Sequence, residues 1–457
     1  MATQAPRTAT TVPDLTPERE VRWPQRSKCQ LANGLSVILV ESRTIPKFHG
    51  ELFLRSGNAA AADRGVALAE MTATMLRTGT AQSTSRQIEE RLRGLGADLS
   101  VSAGQDTTAI SFAGLSDQAE PLLQLVNELA REASFPASEF ARERRQKVEE
   151  VKLERTQPGF LASERLRKVL FGNHPYALVS PTEQQVAAYT REQLESLYRE
   201  FYTPENAILL LVGDFDRSAM QGTVAQVFHS WSGKKPAASQ SPAPAAPKGR
   251  RVYLVDVPGA VQTQILCGVH AINRAHPDWI KLGLTNSLYG GAFNSRLVMN
   301  IREDKGYTYS PRSGVNPLRQ HGYFSVSAAV RNDVVAASLT EIFYEIDKLR
   351  SLPVPDAELL DAQNYLTGVF SMGLATQSGL LSQISTLALN ELPDDYLETY
   401  RQKVRALTPP DILSAARTYL DSANMQIVAV GDRKQIESQA ALFGDLEIYD
   451  AKENLQP

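Results

Sequence analysis

The chain has 457 residues, 42% hydrophobic and 22% charged, with a formal net charge of −3. That length allows several domains with real cores, and the near-neutral charge leaves no footprint for nucleic acid or an anionic membrane surface. Two cysteines far apart, Cys29 and Cys267, exclude a disulfide framework. No run of 18 apolar residues reads as a membrane span.

Residues 1–24 are polar and rich in Pro and Thr, so this segment is expected to be disordered. It has no apolar h-region and is not an intact export signal. It is similar to the stretch that follows such a signal, which favours the periplasm over the cytoplasm. From residue 25 the pattern becomes that of a folded domain. LANGLSVILVESR predicts a tight turn at Asn33-Gly34 and an alternating strand, and FHGELFLRSG a second strand. Helices are expected over 64–76 and 84–95, the latter capped around Ser83 or Ser85. GADLSVSAGQDTTAISFAG reads as a hairpin, and two further helices follow over 116–132 and 138–155. The last of these, ASEFARERRQKVEEVKLER, has few apolar positions and reads as a solvated or inter-domain helix.

Residues 234–249, KKPAASQSPAPAAPKG, have the composition of a semi-extended linker. They divide the chain into 25–233 and 250–457, and the two parts are related. Thr190 and Thr408, Asn206 and Asn424, and the pairs Gly213-Asp214 and Gly431-Asp432 are each separated by 218 residues. In both copies a helix opening at Thr is followed by an Asn turn, a buried apolar strand (AILLLV or MQIVAV) and Gly-Asp. The second copy also offers RVYLVDVP and TQILCGVHAI as strands, a helix from about Asp278, a hairpin near 322–331 and long helices from Val334. The expected fold class is α+β, a duplicated domain of helices on a mixed or antiparallel sheet.

Chemistry is sparse. The six histidines, His49, His174, His229, His270, His276 and His321, form no HxxxH pair, and a catalytic zinc needs three converging ligands. Cys267 and His270 lie in a strand, three apart, and so on opposite faces. His174, in GNHPYAL, reads as structural. No GxSxG elbow is present, and GGAFNSR lacks the lysine and spacing of a phosphate loop, leaving a flexible turn. In NSRLVMNIREDKGYTYS a charged helix stops at Gly306, where glycine suits the left-handed cap. Arg302 and Tyr309 flank that stop, and a guanidinium and a phenol there can donate to a peptide carbonyl or its developing oxyanion.

GNHPYALVSPTEQQV, FYTPENAILLLVGDF and GGAFNSRLVMNIREDKGYTYS resemble peptidase family M16, the pitrilysin- or insulinase-type zinc peptidases. The likeness is greatest to short bacterial subunits related to mitochondrial processing peptidase. It runs from LANGLSVILVES to MQIVAVGD and implies two homologous M16-like domains. The family's zinc helix reads like GLAHxLEHMxFKGT, whereas residues 65–80 here read GVALAEMTATMLRTGT. Aligned on Gly79-Thr80, Glu70 stands at the first zinc histidine, Ala73 at the general-base glutamate and Thr74 at the second histidine. Only a vestigial distal acid, Glu150, matches, so no metal ligand set is expected in this chain. The family's arginine–tyrosine motif, LRExxGxxY, maps onto Arg302 and Tyr309, with Tyr307 off the usual spacing of seven. The resemblance therefore implies a non-zinc subunit. Its Arg302 and Tyr309 would face the Zn2+ of a homologous HxxEH subunit and help hold an unfolded peptide, with a homodimer when isolated. The alternatives are a scaffold protein of the same fold and an active peptidase with a different zinc site.

Overall fold

The structure, a computed structural model, describes residues 23–237 and 241–456. The expectation of disorder over 1–24 falls largely on residues outside that range. Trp23, the first described residue, packs against Phe370 at 6.2 Å between ring centroids.

Six strands make the first sheet: β1 (Arg26–Gln30), β2 (Ser36–Glu41), β3 (Lys47–Leu54), β4 (Asp98–Ala103), β5 (Thr108–Leu115) and β6 (Ala207–Gly213), ordered β1-β2-β6-β3-β5-β4. Seven make the second: β7 (Arg251–Asp256), β8 (Gln262–Ala271), β9 (Arg312–Pro317), β10 (Gly322–Arg331), β11 (Gln426–Gly431), β12 (Asp445–Asp450) and β13 (Leu455–Gln456), ordered β13-β12-β7-β11-β8-β10-β9. The sheets are mixed rather than antiparallel throughout. After a long helical excursion β6 returns between β2 and β3, parallel to one and antiparallel to the other. β11 repeats this between β7 and β8. Residues 322–331 are one long strand and not a hairpin; the hairpin partner is β9.

The repeat is built as its sequence suggests. Thr190 and Thr408 each open a helix with a capping box, closed by Gln193 and Asp411. β6 and β11 are buried along their whole length. Gly213 ends β6 because a Cβ there would lie 2.5 Å from the Phe48 backbone.

Five helices of the first half matter below: α1 (Leu68–Met75), α2 (Ser85–Gly94), α3 (Ala119–Glu132), α4 (Ala137–Glu154) and α5 (Pro158–Phe171). α1 starts later than expected because Ala67 takes a left-handed conformation, φ 63°, and stops the helix from extending backwards. The cap of α2 is Thr84, between the two serines expected, with Gln87 completing its capping box. α4 is solvated on one face only, since Phe140, Lys147 and Val151 are buried.

Each sheet has one face covered by helices of its own half and the other by helices of the opposite half. On the first sheet Leu35, Val37 and Leu52 face α1, α2 and α3. Ile38, Val40, Ile208 and Leu210 on the other face meet Leu380, Leu381 and Ile384 of the helix Gln377–Leu389. On the second sheet Tyr253, Val255, Val428 and Val430 meet Leu161, Leu166 and Leu170 of α5. Each fully buried leucine contributes roughly 1.5–3 kcal/mol. Gly268 on β8 lets α5 approach, since a Cβ there would stand 2.7 Å from Leu166 Cδ2. Arg165 adds an ion pair to Glu453 at 3.1 Å and stacks 3.5 Å over Tyr449.

Candidate functional site

Arg302 and Tyr309 are brought together. Residues Met299–Asp304 form a wide π-helical turn, and Gly306 at φ 63° closes it. Tyr307 N–H donates back to Ile301 O at 2.9 Å and Gly306 N–H to Arg302 O at 3.2 Å, the double closure of a glycine-ended helix. The chain then turns so that the Tyr309 ring lies over the guanidinium, 4.7 Å from Arg302 Cζ to the ring centroid. Phe293 lies at the same 4.7 Å. Phe293 is 71% exposed and Tyr309 81% exposed, whereas the Arg302 side chain they contact is only 24% exposed, so the rings cover much of the cation and face solvent themselves. A cation–π contact is worth roughly 0.5–1 kcal/mol at an exposed site. Arg302 Nε also pairs with Glu303 at 3.2 Å. Phe293 was missed in the sequence, where GGAFNSR reads as a flexible turn. The signal was an aromatic residue beside two glycines with no apolar periodicity to bury it.

The positions aligned with the family's zinc helix form a second cluster, between α1 and α4. Ala73 is buried and Thr74 Oγ1 donates to Glu70 O within its own helix at 3.1 Å. Lys147, a residue the sequence reading did not single out, reaches in from α4. Its Nζ donates to Glu70 Oε1 at 2.7 Å and pairs with Glu150 Oε2 at 3.3 Å. The Lys147 side chain is only 9% exposed, against 38% for Glu70 and 48% for Glu150. Burial disfavours the Lys147 charge, but the hydrogen bond to Glu70 and the fields of Glu70, Glu150 and Glu154 outweigh it and raise its pKa. Glu154 is raised as well, first by burial, with Lys147 acting against the shift.

This donor set does not fit zinc. It offers two carboxylates, a methyl group and a hydroxyl committed to its own helix, with an ammonium between the carboxylates where a cation would go. Among the described residues no group of three or more His, Cys, Asp or Glu is placed to hold a metal ion. Nor does any hydrogen bond or ion pair among them link this cluster to Arg302 and Tyr309.

The other residues considered are structural in their contacts. His174 Nδ1 accepts from Tyr176 N–H at 3.1 Å and caps a short turn. His270 Nε2–H donates to Leu170 O at 2.6 Å and stacks on Phe171, on the face of β8 opposite Cys267.

Two family models match the chain: insulinase (peptidase family M16) over residues 37–179, and the peptidase M16 inactive domain over 188–366. The chain belongs to peptidase family M16. Among solved structures, the M16 inactive domain from Pseudomonas fluorescens is 29% identical, with a TM-score of 0.84 over 89% of this chain and 98% of that one. A protease from Helicobacter pylori shares the fold at 19% identity, with a TM-score of 0.84, covering 89% and 100% of the two chains. The uncharacterized zinc protease SCO5738 of Streptomyces coelicolor is 24% identical over 85% of this chain and 86% of its own length. Among the described residues no helix of this M16 chain is long and apolar enough to cross a membrane.

Proposed function

We propose that this M16 chain is the catalytically incomplete subunit of a heterodimeric metallopeptidase, presenting Arg302 and Tyr309 to the zinc site of a homologous HxxEH subunit. The supporting observation is the aromatic stack: a guanidinium in contact with Phe293 and Tyr309, both rings open to solvent, in a chain whose zinc-helix positions carry Glu70, Ala73 and Thr74, with Glu70 paired to Lys147 of α4. In this reading the partner's Zn2+ supplies the Lewis acid. Arg302 and the Tyr309 hydroxyl donate hydrogen bonds to the main chain of an unfolded peptide and to the charge that develops on its carbonyl oxygen. Phe293 holds the guanidinium in place before substrate arrives. The proposal includes export to the periplasm, which fractionation of tagged protein would check, and a homodimer in the absence of the partner.

The test is reconstitution. The chain alone should cleave nothing, and mixing it with an HxxEH homologue encoded beside it should yield peptidase activity. Arg302→Ala should then lower kcat about 100–1,000-fold, the usual cost of removing one oxyanion donor. If the mixture is inactive, or is active and unaffected by Arg302→Ala, the role fails and the scaffold reading takes its place.

A further inference from the structure

A cavity of about 420 Å³ lies between α5 and the outer part of the second sheet. That is within the usual range for a ligand pocket. Its floor is one face of three strands, because Gln264, Arg312, Asn316, Tyr323, Ser325 and Ser327 alternate onto the same side. α5 fills only the β8 and β11 end of that face with leucines and leaves the β9–β10 end polar. The lining has two arginines, Arg167 and Arg312, and no aspartate or glutamate.

Arg167 is the unusual member. Its Nε and Nη2 are sealed from water and have no hydrogen-bond partner. These two nitrogens form one edge of the guanidinium, the edge whose parallel N–H bonds match the two oxygens of a carboxylate. Leaving a buried donor unpaired costs about 1–3 kcal/mol. Burial also lowers the pKa of Arg167, opposed by Tyr323, Asp106 and Tyr176. Asp106 does not relieve it, since its oxygens accept from Tyr176 Oη at 2.5 Å and from Arg319 N–H at 2.9 Å. Arg167 lines the cavity, and a turn of the guanidinium about its terminal torsions would bring the unpaired edge into it, where a bound oxyanion would satisfy both nitrogens. Arg312, at the mouth, is exposed. It follows Tyr309 by three residues, at most about 10 Å of extended chain, so the cavity adjoins the displayed stack.

We infer that this cavity is an oxyanion subsite that takes a carboxylate of an acidic peptide, held by Arg167 from within and Arg312 at the rim. The peptide as source rests on the peptide-binding reading above; the subsite itself belongs to this chain and needs no partner subunit.

The isolated chain is therefore titrated with three probes: a capped alanine-based peptide carrying two glutamates, the same peptide with two glutamines, and inorganic phosphate. The glutamate peptide should bind at least tenfold more tightly than the glutamine peptide. Arg167→Met should erase that preference with a thermal midpoint at or above the parent's, since it removes unpaired buried donors, and Arg312→Met should reduce it with an unchanged midpoint. If Arg167→Met does not fold, the exposed Arg312→Met and the charge-conserving Arg167→Lys, which lacks the forked edge, carry the test. No preference for glutamate in the parent, or a full preference in the arginine variants, overturns the subsite. Phosphate binding that displaces the glutamate peptide at equal or lower concentration overturns the peptide as its source. Because no HxxEH subunit is present, these outcomes are independent of whether reconstitution succeeds.

Discussion

Lys147→Met tests whether an ammonium has taken over the electrostatic work of the cluster between α1 and α4. Methionine keeps most of the buried stem and removes the charge. In the parent, Nζ lies 2.7 Å from Glu70 and 3.3 Å from Glu150, with Glu154 also in its field. Breaking a fully buried pair costs about 3–5 kcal/mol and an exposed one about 0.2–1 kcal/mol. Lys147 belongs to the first class, but its partners are a third to a half exposed and regain water, so the expected loss is about 2 kcal/mol. For a cooperative unit of roughly 200 residues that is a drop of about 4–8 °C in thermal midpoint. The raised pKa of Lys147 means its contribution is intact below the unfolded lysine value, about 10.4, and is lost as pH rises through the folded value. On the acid side Glu154, whose pKa is raised by burial, takes up its proton before an ordinary glutamate would, and Lys147 loses that charge from its field. Parent and variant should therefore separate at pH 7 and draw together as the pH is lowered in a series of calorimetric scans. A variant as stable as the parent at pH 7, or a gap that does not depend on pH, would refute the reasoning.

Three further outcomes follow from the same contacts. Introducing Glu70→His and Thr74→His with Lys147 retained should leave metal content well below one zinc per chain, and adding Ala73→Glu and Lys147→Gln should bring it to one, measured by elemental analysis after gel filtration. Glu51, which accepts from Ser385 and Ser111, has its pKa raised by burial. Its charge therefore costs stability above the folded pKa, and Glu51→Gln should gain up to about 1 kcal/mol at pH 7, a gain lost as pH falls and the parent carboxyl is protonated. Gly268→Ala should cost about 1–3 kcal/mol by pushing Leu166 off the second sheet, and hydrogen exchange should show α5 losing protection before the helices of the second half.

What was legible in the sequence was whatever a short window can carry. The duplication stood out because Thr190 and Thr408 cap helices by the same local bond, and because AILLLV and MQIVAV must be buried wherever they lie. The arginine–tyrosine spacing was legible for the same reason: Gly306 fixes a local turn and puts both groups near it. The exchange of helices between halves was not. The apolar face of α5 says that it must be covered, and nothing in 158–171 says that the covering sheet begins at residue 251. Lys147 was hidden by its neighbours, since within ARERRQKVEEVKLER one lysine looks like any other solvated charge. Its burial depends on Glu70, 77 residues away, on a helix that a left-handed Ala67 starts late. Phe293 was lost through composition, because glycines beside it suggested a turn and the cation it covers comes nine residues later.

The lysine also bears on how α1 and α4 dock where no metal-binding group is placed among the described residues. Removing a divalent ion from between two helices leaves carboxylates that repel and pull the helices apart, unless they are neutralised or replaced. Here Ala73 and Thr74 contribute no charge, while Glu70, at the first histidine position, and Glu150 share one ammonium. A cation is thus kept, supplied by α4 itself, and it arrives with the fold instead of being recruited from solution. The docking of α1 on α4 should then be indifferent to chelators, and the substitutions that would restore metal must first remove Lys147. The same exchange separates the two clusters physically. One is closed by a buried lysine, whereas the other sets a guanidinium against two exposed rings, an apolar surface of the kind that the proposed partner or peptide would cover.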